Sequence, residues 1–213
     1  MTVTDSNNGT ASNIFQLTVN GPVSATQAIA SKALTQNASA SSFTPVTGSG
    51  GTPPLSYGVS PTLPTGLALN TSNGAITGTP TATSGATTYT VTVTDANSAT
   101  ATATFSLTIN GAVSATQSIS ARSLTVNVTA TSFTPVTGGG GTSPLTYGVT
   151  PTLPAGLSFN TSSGAVRDTP TAVTAVATYT VTVTDANSAT ATTRSASPST
   201  PRSPRRRPFH RRG

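Results

Sequence analysis

Cysteine is absent, so no disulfide can staple the fold and no thiolate can serve as a nucleophile or a metal ligand. A secreted eukaryotic domain of this size often carries a disulfide, so the absence leans towards a bacterial or an intracellular product. Glutamate is absent as well, and the four aspartates are scattered, which leaves little for paired-carboxylate chemistry. The one histidine, His210, stands near the C-terminal end, so a Ser or Thr nucleophile would find no base within a folded domain. Gly138–Gly141 is not followed by Gly-Lys-Ser/Thr, so it is a strand connection and not a phosphate loop. These gaps exclude the common hydrolytic and phosphoryl-transfer inventories, and the expectation is that the chain is not an enzyme. No run of 18 apolar residues occurs, and the opening MTVTDSNNGT has neither a basic n-region nor an apolar core. The expectation is therefore no transmembrane segment and no signal peptide.

Charge is scarce too, at 7% of residues, and the net +6 is unevenly placed. Residues 1–193 hold Lys32, Arg122 and Arg167 against Asp5, Asp95, Asp168 and Asp185, a net of −1. Residues 194–213 hold seven arginines and no acid. What the chain has in abundance is threonine, serine, alanine and glycine, and Thr and Val alternate over long runs, the pattern of half-buried strands.

The chain also repeats itself. TYTVTVTDANSATAT at 88–102 returns unchanged at 178–192, and SFTPVTGSGGTPPLSYGV at 42–59 returns as SFTPVTGGGGTSPLTYGV at 132–149, a period of 90 residues. TVTD at 2–5, 92–95 and 182–185 places Asp5, Asp95 and Asp185 in one register. Self-similarity at domain length means a tandem array of one module. The expected organisation is a terminal hairpin remnant of a preceding repeat at 1–20, a complete domain at 21–110, a second domain at 111–193 lacking its last strand, and an Arg-rich tail at 194–213. The GxVSATQ segments at 21–27 and 111–117 read as linkers.

Turn signals divide the complete module into about seven short strands: 28–34, 42–46 with Pro45 favouring an edge, 55–59, 67–70, 75–77, 87–96 and 103–110. Leu55, Tyr57 and Val59 share one side. Tyr89, Val91 and Val93 share another, with threonines opposite, and Phe105, Leu107 and Ile109 point inward. The segment 78–86 reads as a long connection. Short strands with turns at such spacing predict an all-β fold of tandem β-sandwiches of immunoglobulin type, with no helix.

Residues 63–109, LPTGLALNTSNGAITGTPTATSGATTYTVTVTDANSATATATFSLTI, resemble the bacterial putative immunoglobulin-like domain family of the cadherin-like group. The likeness rests on LPxGL, an Asn-rich turn, Gly-x-Ile/Val-x-Gly-Thr-Pro and a Thr/Val strand ending in Thr-Asp. LPAGLSFNTSSGAVRDTP at 153–170 repeats it, departing at Arg167 and Asp168 where the first copy has Thr77 and Gly78. If Gly78 has positive φ, Asp168 is tolerated there at a cost of about 1 kcal/mol. The resemblance implies a tandem immunoglobulin-like or cadherin-like segment of a bacterial cell-surface or secreted protein, extracellular, acting as a spacer or adhesive module beside flanking domains, its surface ligand unknown. It also brings calcium into view, with Asp95, Asn97, Asp185 and Asn187 as candidate ligands. The competing reading is that both aspartates bond the backbone of their own turns. Lys32 does not make an isopeptide crosslink, since the second copy has Arg122 there and no glutamate is available.

Both ends read as interrupted. Met1 aligns with Val91 and Val181, so the chain is expected to start inside a strand of a longer reading frame. At the other end the repeat predicts FSLTIN or FQLTVN, and RSASPSTP stands at 194–201 instead. A codon choice for those residues, read two nucleotides on, gives FSLTVNA, so the tail is expected to be disordered and derived from a frameshift. Three inward apolar positions become Ser195, Ser197 and Ser199. That removes about 5–9 kcal/mol from a domain worth about 5–15 kcal/mol, so the second copy is expected to be marginal. Residues 10–20 carry the strand that is missing, which predicts head-to-tail self-association by strand addition. The alternatives are a carbohydrate- or protein-binding module and non-specific nucleic-acid binding through the tail.

Overall fold

The computed structural model describes residues 1–194. Every regular element in it is a strand. A hairpin of β1 (Thr2–Thr4) and β2 (Thr10–Ser12) comes first. The first repeat carries β3 (Ser24–Gln27), β4 (Ser31–Thr35), β5 (Ala40–Phe43), β6 (Val46–Ser49), β7 (Ser56–Ser60), β8 (Leu67–Leu69), β9 (Ile76–Gly78), β10 (Ser84–Thr94) and β11 (Thr100–Asn110). The second carries β12 (Ser114–Gln117), β13 (Ala130–Phe133), β14 (Val136–Gly139), β15 (Thr146–Thr150), β16 (Leu157–Phe159), β17 (Val166–Asp168), β18 (Thr180–Thr184) and β19 (Thr190–Arg194). The fold is all-β, with immunoglobulin-like repeats in tandem.

In the first repeat a four-stranded sheet in the order β4-β11-β10-β7 faces a three-stranded sheet in the order β5-β9-β8, with β3 and β6 paired beside them. The alternation of Thr and Val decides which atoms face inward. Tyr89, Val91 and Val93 of β10 and Phe105, Leu107 and Ile109 of β11 are buried, together with Phe43, Val46 and Ile76 from the other strands. The Tyr89 ring stacks on Phe105 at 5.5 Å, and Phe43 meets Phe105 edge-on at 6.5 Å. Lys32 lays its ammonium 5.7 Å from the Phe43 ring centre, and Arg122 does the same over Phe133 at 5.2 Å.

Three expectations need correction. The GxVSATQ segments are not linkers: β3 pairs antiparallel with β6 from Ser24↔Ser49 to Gln27↔Val46, and β12 pairs with β14 in the same register. Their affinity for the sheet is a backbone affinity, which polar side chains do not advertise. The strand expected at 42–46 is two strands broken at Pro45, whose missing N–H cannot join a ladder and whose carbonyl accepts from Ala28 and Ile29. The long connection at 78–86 is shorter, because β10 begins at Ser84.

Gly78 has φ 123°, and a Cβ there would lie 2.1 Å from the Gly66 carbonyl oxygen. Asp168 takes the same register position opposite Leu157, with φ 80° and its carboxylate accepting from the Ser158 hydroxyl. The positive φ anticipated for this site is what the backbone requires.

The second repeat departs from the first along one edge. Among the described residues its sheet runs β15-β18-β19, and residues 121–125, the counterpart of β4, form no strand. β18 starts at Thr180, whereas its counterpart β10 starts six residues earlier in the register. Arg194 closes β19, so it belongs to the sheet and not to the tail, whose remaining residues and expected disorder lie outside the described residues.

Candidate functional site

Asp5, Asp95 and Asp185 each end a Thr/Val strand and begin the same five-residue turn. In all three the Asp N–H donates to the carbonyl four residues on, and the carbonyl of Asp accepts from the residue three on. That third residue, Asn8, Ser98 or Ser188, has φ of 65–67°, a conformation that short polar side chains tolerate. The carboxylate finishes the turn. Asp95 Oδ1 accepts from the N–H of Asn97 at 3.0 Å and of Ala99 at 2.8 Å. Asp185 Oδ1 repeats this with Asn187 and Ala189, and Asp5 Oδ1 with Asn7 and Gly9.

In the two full repeats the second oxygen is also engaged. Thr52 N–H donates to Asp95 Oδ2 at 2.8 Å, and Thr142 N–H donates to Asp185 Oδ2 at the same distance. The glycine-rich loop has to come very close for this. A Cβ on Gly51 would lie 2.8 Å from the Asp95 Cβ, and one on Gly141 would lie 2.9 Å from the Asp185 Cβ. Sequence reasoning singled out the aspartates and missed Thr52 and Thr142. The recurrence of Gly-Gly-Thr at 50–52 and 140–142 was the available signal.

The candidate ligands Asp95 and Asn97 come together on Thr52, whose hydroxyl accepts from Asn97 Nδ2 at 2.9 Å. Asp185 and Asn187 come together on Thr142 in the same way at 2.8 Å. Contacts divide the chain into two compact units, and the second gathers Ala33–Ala40 and Thr79–Gly85 with the residues from Ile109 on. Within that unit the Asp185 cluster is larger. The Thr35 hydroxyl donates to Asp185 Oδ2 and lies 3.0 Å from the Thr142 hydroxyl, and Asn187 Nδ2 also reaches the Ala33 carbonyl at 3.2 Å.

These bonds set the charge state of both acids. The Thr52 N–H, ahead of those of Ala99 and Asn97, holds Asp95 below the usual carboxylate range, burial opposing it. For Asp185 burial is the largest influence and pushes upward. The donors from Thr142, Thr35, Ala189 and Asn187 together outweigh it, so its pKa is also lowered. Each cluster thus presents one ionised carboxylate whose two oxygens already meet three or more donors. That falls short of the six to eight oxygens, several of them carboxylate, that calcium takes. Among the described residues no three acidic, histidine or cysteine side chains gather. What the arrangement does chemically is fasten a hairpin turn to a loop 43 residues away in sequence.

The second repeat has one further feature. An apolar cavity of about 630 Å³ opens among Leu124, Phe133, Val149, Leu157, Tyr179 and Val181. In the first repeat Phe43 and Tyr89, the counterparts of Phe133 and Tyr179, pack against the ring of Phe105.

Comparison with known proteins gives one family. The model of the family described as "Putative Ig domain" matches residues 21–110 and again 111–199. No curated protein matches the chain. Among solved structures, the C-terminal 282-residue fragment of intimin in complex with the translocated intimin receptor is 16% identical, over 72% of this chain and 57% of that one, with a TM-score of 0.40. Human protocadherin-24 EC1-2 is 14% identical, over 83% of this chain and 94% of that one, with a TM-score of 0.37. The four N-terminal Ig domains of Dscam1 isoform 1.9 are 15% identical, over 79% and 42%, with a TM-score of 0.36. The chain spans about half the length of the first solved structures it matches.

Proposed function

From the premise that this chain belongs to the Putative Ig domain family over both of its repeats, we propose that it is a non-enzymatic segment of a bacterial cell-surface or secreted protein, each repeat serving as a spacer between flanking domains. The observation that carries this reading is the fate of the aromatic rings. Phe43, Tyr89 and Phe105 of the first repeat are consumed by its core. A carbohydrate platform needs rings laid flat on the surface, and the first repeat shows threonine and serine instead. Its one perturbed carboxylate is spent on a turn, so no general base is left poised in a cleft. No helix among the described residues is long and apolar enough to cross a membrane.

The test is a binding survey of the full chain against immobilised glycans, matrix proteins and heparin. A spacer gives retention on heparin alone, through the arginines beyond residue 193, and that retention falls steeply with salt. Removing residues 194–213 abolishes it. A glycan or protein bound by the shortened chain would replace the spacer with a binding module.

A further inference from the structure

The cavity in the second repeat is defined by what fills its counterpart. In the first repeat Phe105, Leu107 and Ile109 of β11 are 1%, 0% and 2% exposed. They continue a strand whose first half the second repeat also possesses. Gln27 Nε2 donates to the Thr104 carbonyl, and Gln117 Nε2 donates to the Arg194 carbonyl, so Arg194 stands in the register position just before that of the inward apolar triplet of β11. The next positions in the second repeat are Ser195, Ser197 and Ser199, whose side chains cannot supply the apolar volume.

The chain carries a second copy of the filler. Phe15, Leu17 and Val19 stand 90 residues before Phe105, Leu107 and Ile109, and they are 75%, 78% and 87% exposed. The residue that follows is already docked. Asn20 Nδ2 donates to the Thr52 hydroxyl, and the Gly51 N–H donates to the Gly21 carbonyl at 3.0 Å. Asn110 makes the same bond to Thr142, and Gly141 the same bond to Gly111. Asn20 thus sits against the first repeat as the end of β11 sits against the second.

We propose that the cavity of the second repeat is a docking groove for residues 15–19 of a second copy of this chain, which enter it in the places that Phe105, Leu107 and Ile109 hold in the first repeat. Phe15 takes the place of Phe105, between Tyr179 and Phe133. Leu17 and Val19 fill the positions beyond it. Asn20 of the incoming copy offers its carbonyl to the Val126 N–H, as Asn110 does to Gln36 at 2.8 Å. The incoming chain then passes from Asn20 into its own Gly21 and β3 just as Asn110 passes into Gly111 and β12. Each added copy reproduces a junction the chain already contains, and its own second repeat offers the next groove. The donor is another copy for a reason of connectivity. A chain filling its own groove would have to close a ring in which its two repeats precede and follow each other. Strand addition of this kind draws on ladder hydrogen bonds for affinity and on inward side chains for register.

Sedimentation of the full chain over a concentration series tests it. The expected result is a monomer that gives way to dimers and longer chains as concentration rises. Phe15→Ser with Leu17→Ser abolishes the assembly, and both residues are exposed, so far-ultraviolet circular dichroism stays unchanged. Ser195→Phe with Ser197→Leu and Ser199→Ile also abolishes it, because the groove is then filled from within. The peptide Thr10–Asn20, added to the Phe15→Ser/Leu17→Ser chain, slows hydrogen exchange at the Val126 amide. A monomer at every concentration, as a closed ring would give, overturns the proposal. So does assembly that survives either set of substitutions, or a Val126 amide that the peptide leaves unprotected.

Discussion

At the scale of single residues, the aspartates that end the Thr/Val strands are structural acids whose worth depends on being ionised. Both Asp95 and Asp185 have folded pKa values below the ordinary carboxylate value of about 3.9. The unfolded chain therefore takes up protons first as pH falls. The stabilisation from these turns is fully present above the unfolded pKa and is lost as pH drops through the folded one. Tyr89 acts at the other extreme. Burial raises its pKa above 10.0, so the unfolded chain releases that proton first and stability falls as pH rises past about 10. The expected profile of the urea midpoint is a plateau from about pH 5 to pH 9, with a decline on both sides. Asp95→Asn with Asp185→Asn lowers the plateau and flattens its acid limb. A midpoint that holds steady to pH 2 in the parent chain would show that these carboxylates do not secure their turns.

At the scale of elements, β11 is the strand on which the first repeat depends. Phe105 lies between Tyr89 and Phe43 with nothing to replace it. Phe105→Ser is expected to cost the first repeat about 3–5 kcal/mol, the range of aromatic truncation in a closed core. Urea unfolding followed by exchange in peptides from β7 and β8 measures it, and a loss under about 1 kcal/mol would mean that the core collapses around the gap. The importance of this strand was legible in the sequence, because Phe, Leu and Ile alternate with Ser and Thr and the period of two admits one inward face. The Asp turn was legible for a similar reason, since its aspartate recurs at a fixed register. β3 and β12 were not legible. Ser-Ala-Thr-Gln has no apolar alternation, and its place in the fold comes from a ladder with β6 or β14 and from a glutamine reaching across to β11 or β19. The bond from Thr52 to Asp95 was hidden by its separation of 43 residues. A loop that approaches a carboxylate through backbone alone leaves only glycines as its mark.

At the scale of the whole molecule, near-identical sequences have been given unequal cores. The first repeat fully buries Leu34, Phe43, Tyr89, Phe105, Leu107 and Ile109 besides its valines and Ile76. The second buries Val136, Val166, Val181 and Val183, and leaves Leu124, Phe133 and Tyr179 partly exposed around its cavity. Each large side chain that fails to bury forfeits about 1.5–3 kcal/mol, and a whole domain holds only about 5–15 kcal/mol. Repeats in an array unfold together only when the coupling between neighbours exceeds the difference in their own stabilities. Here the difference amounts to several such side chains. Dilute protein, where the groove has no donor, is therefore expected to unfold in two steps in urea. The second repeat goes first, and its β15 and β16 peptides exchange at urea concentrations where those of β7 and β8 remain protected. Ser195→Phe with Ser197→Leu and Ser199→Ile should merge the steps by raising the first of them, leaving the second where it was. A single transition in the parent chain, with both sets of peptides exchanging together, would mean that the two cores are of equal strength despite the cavity.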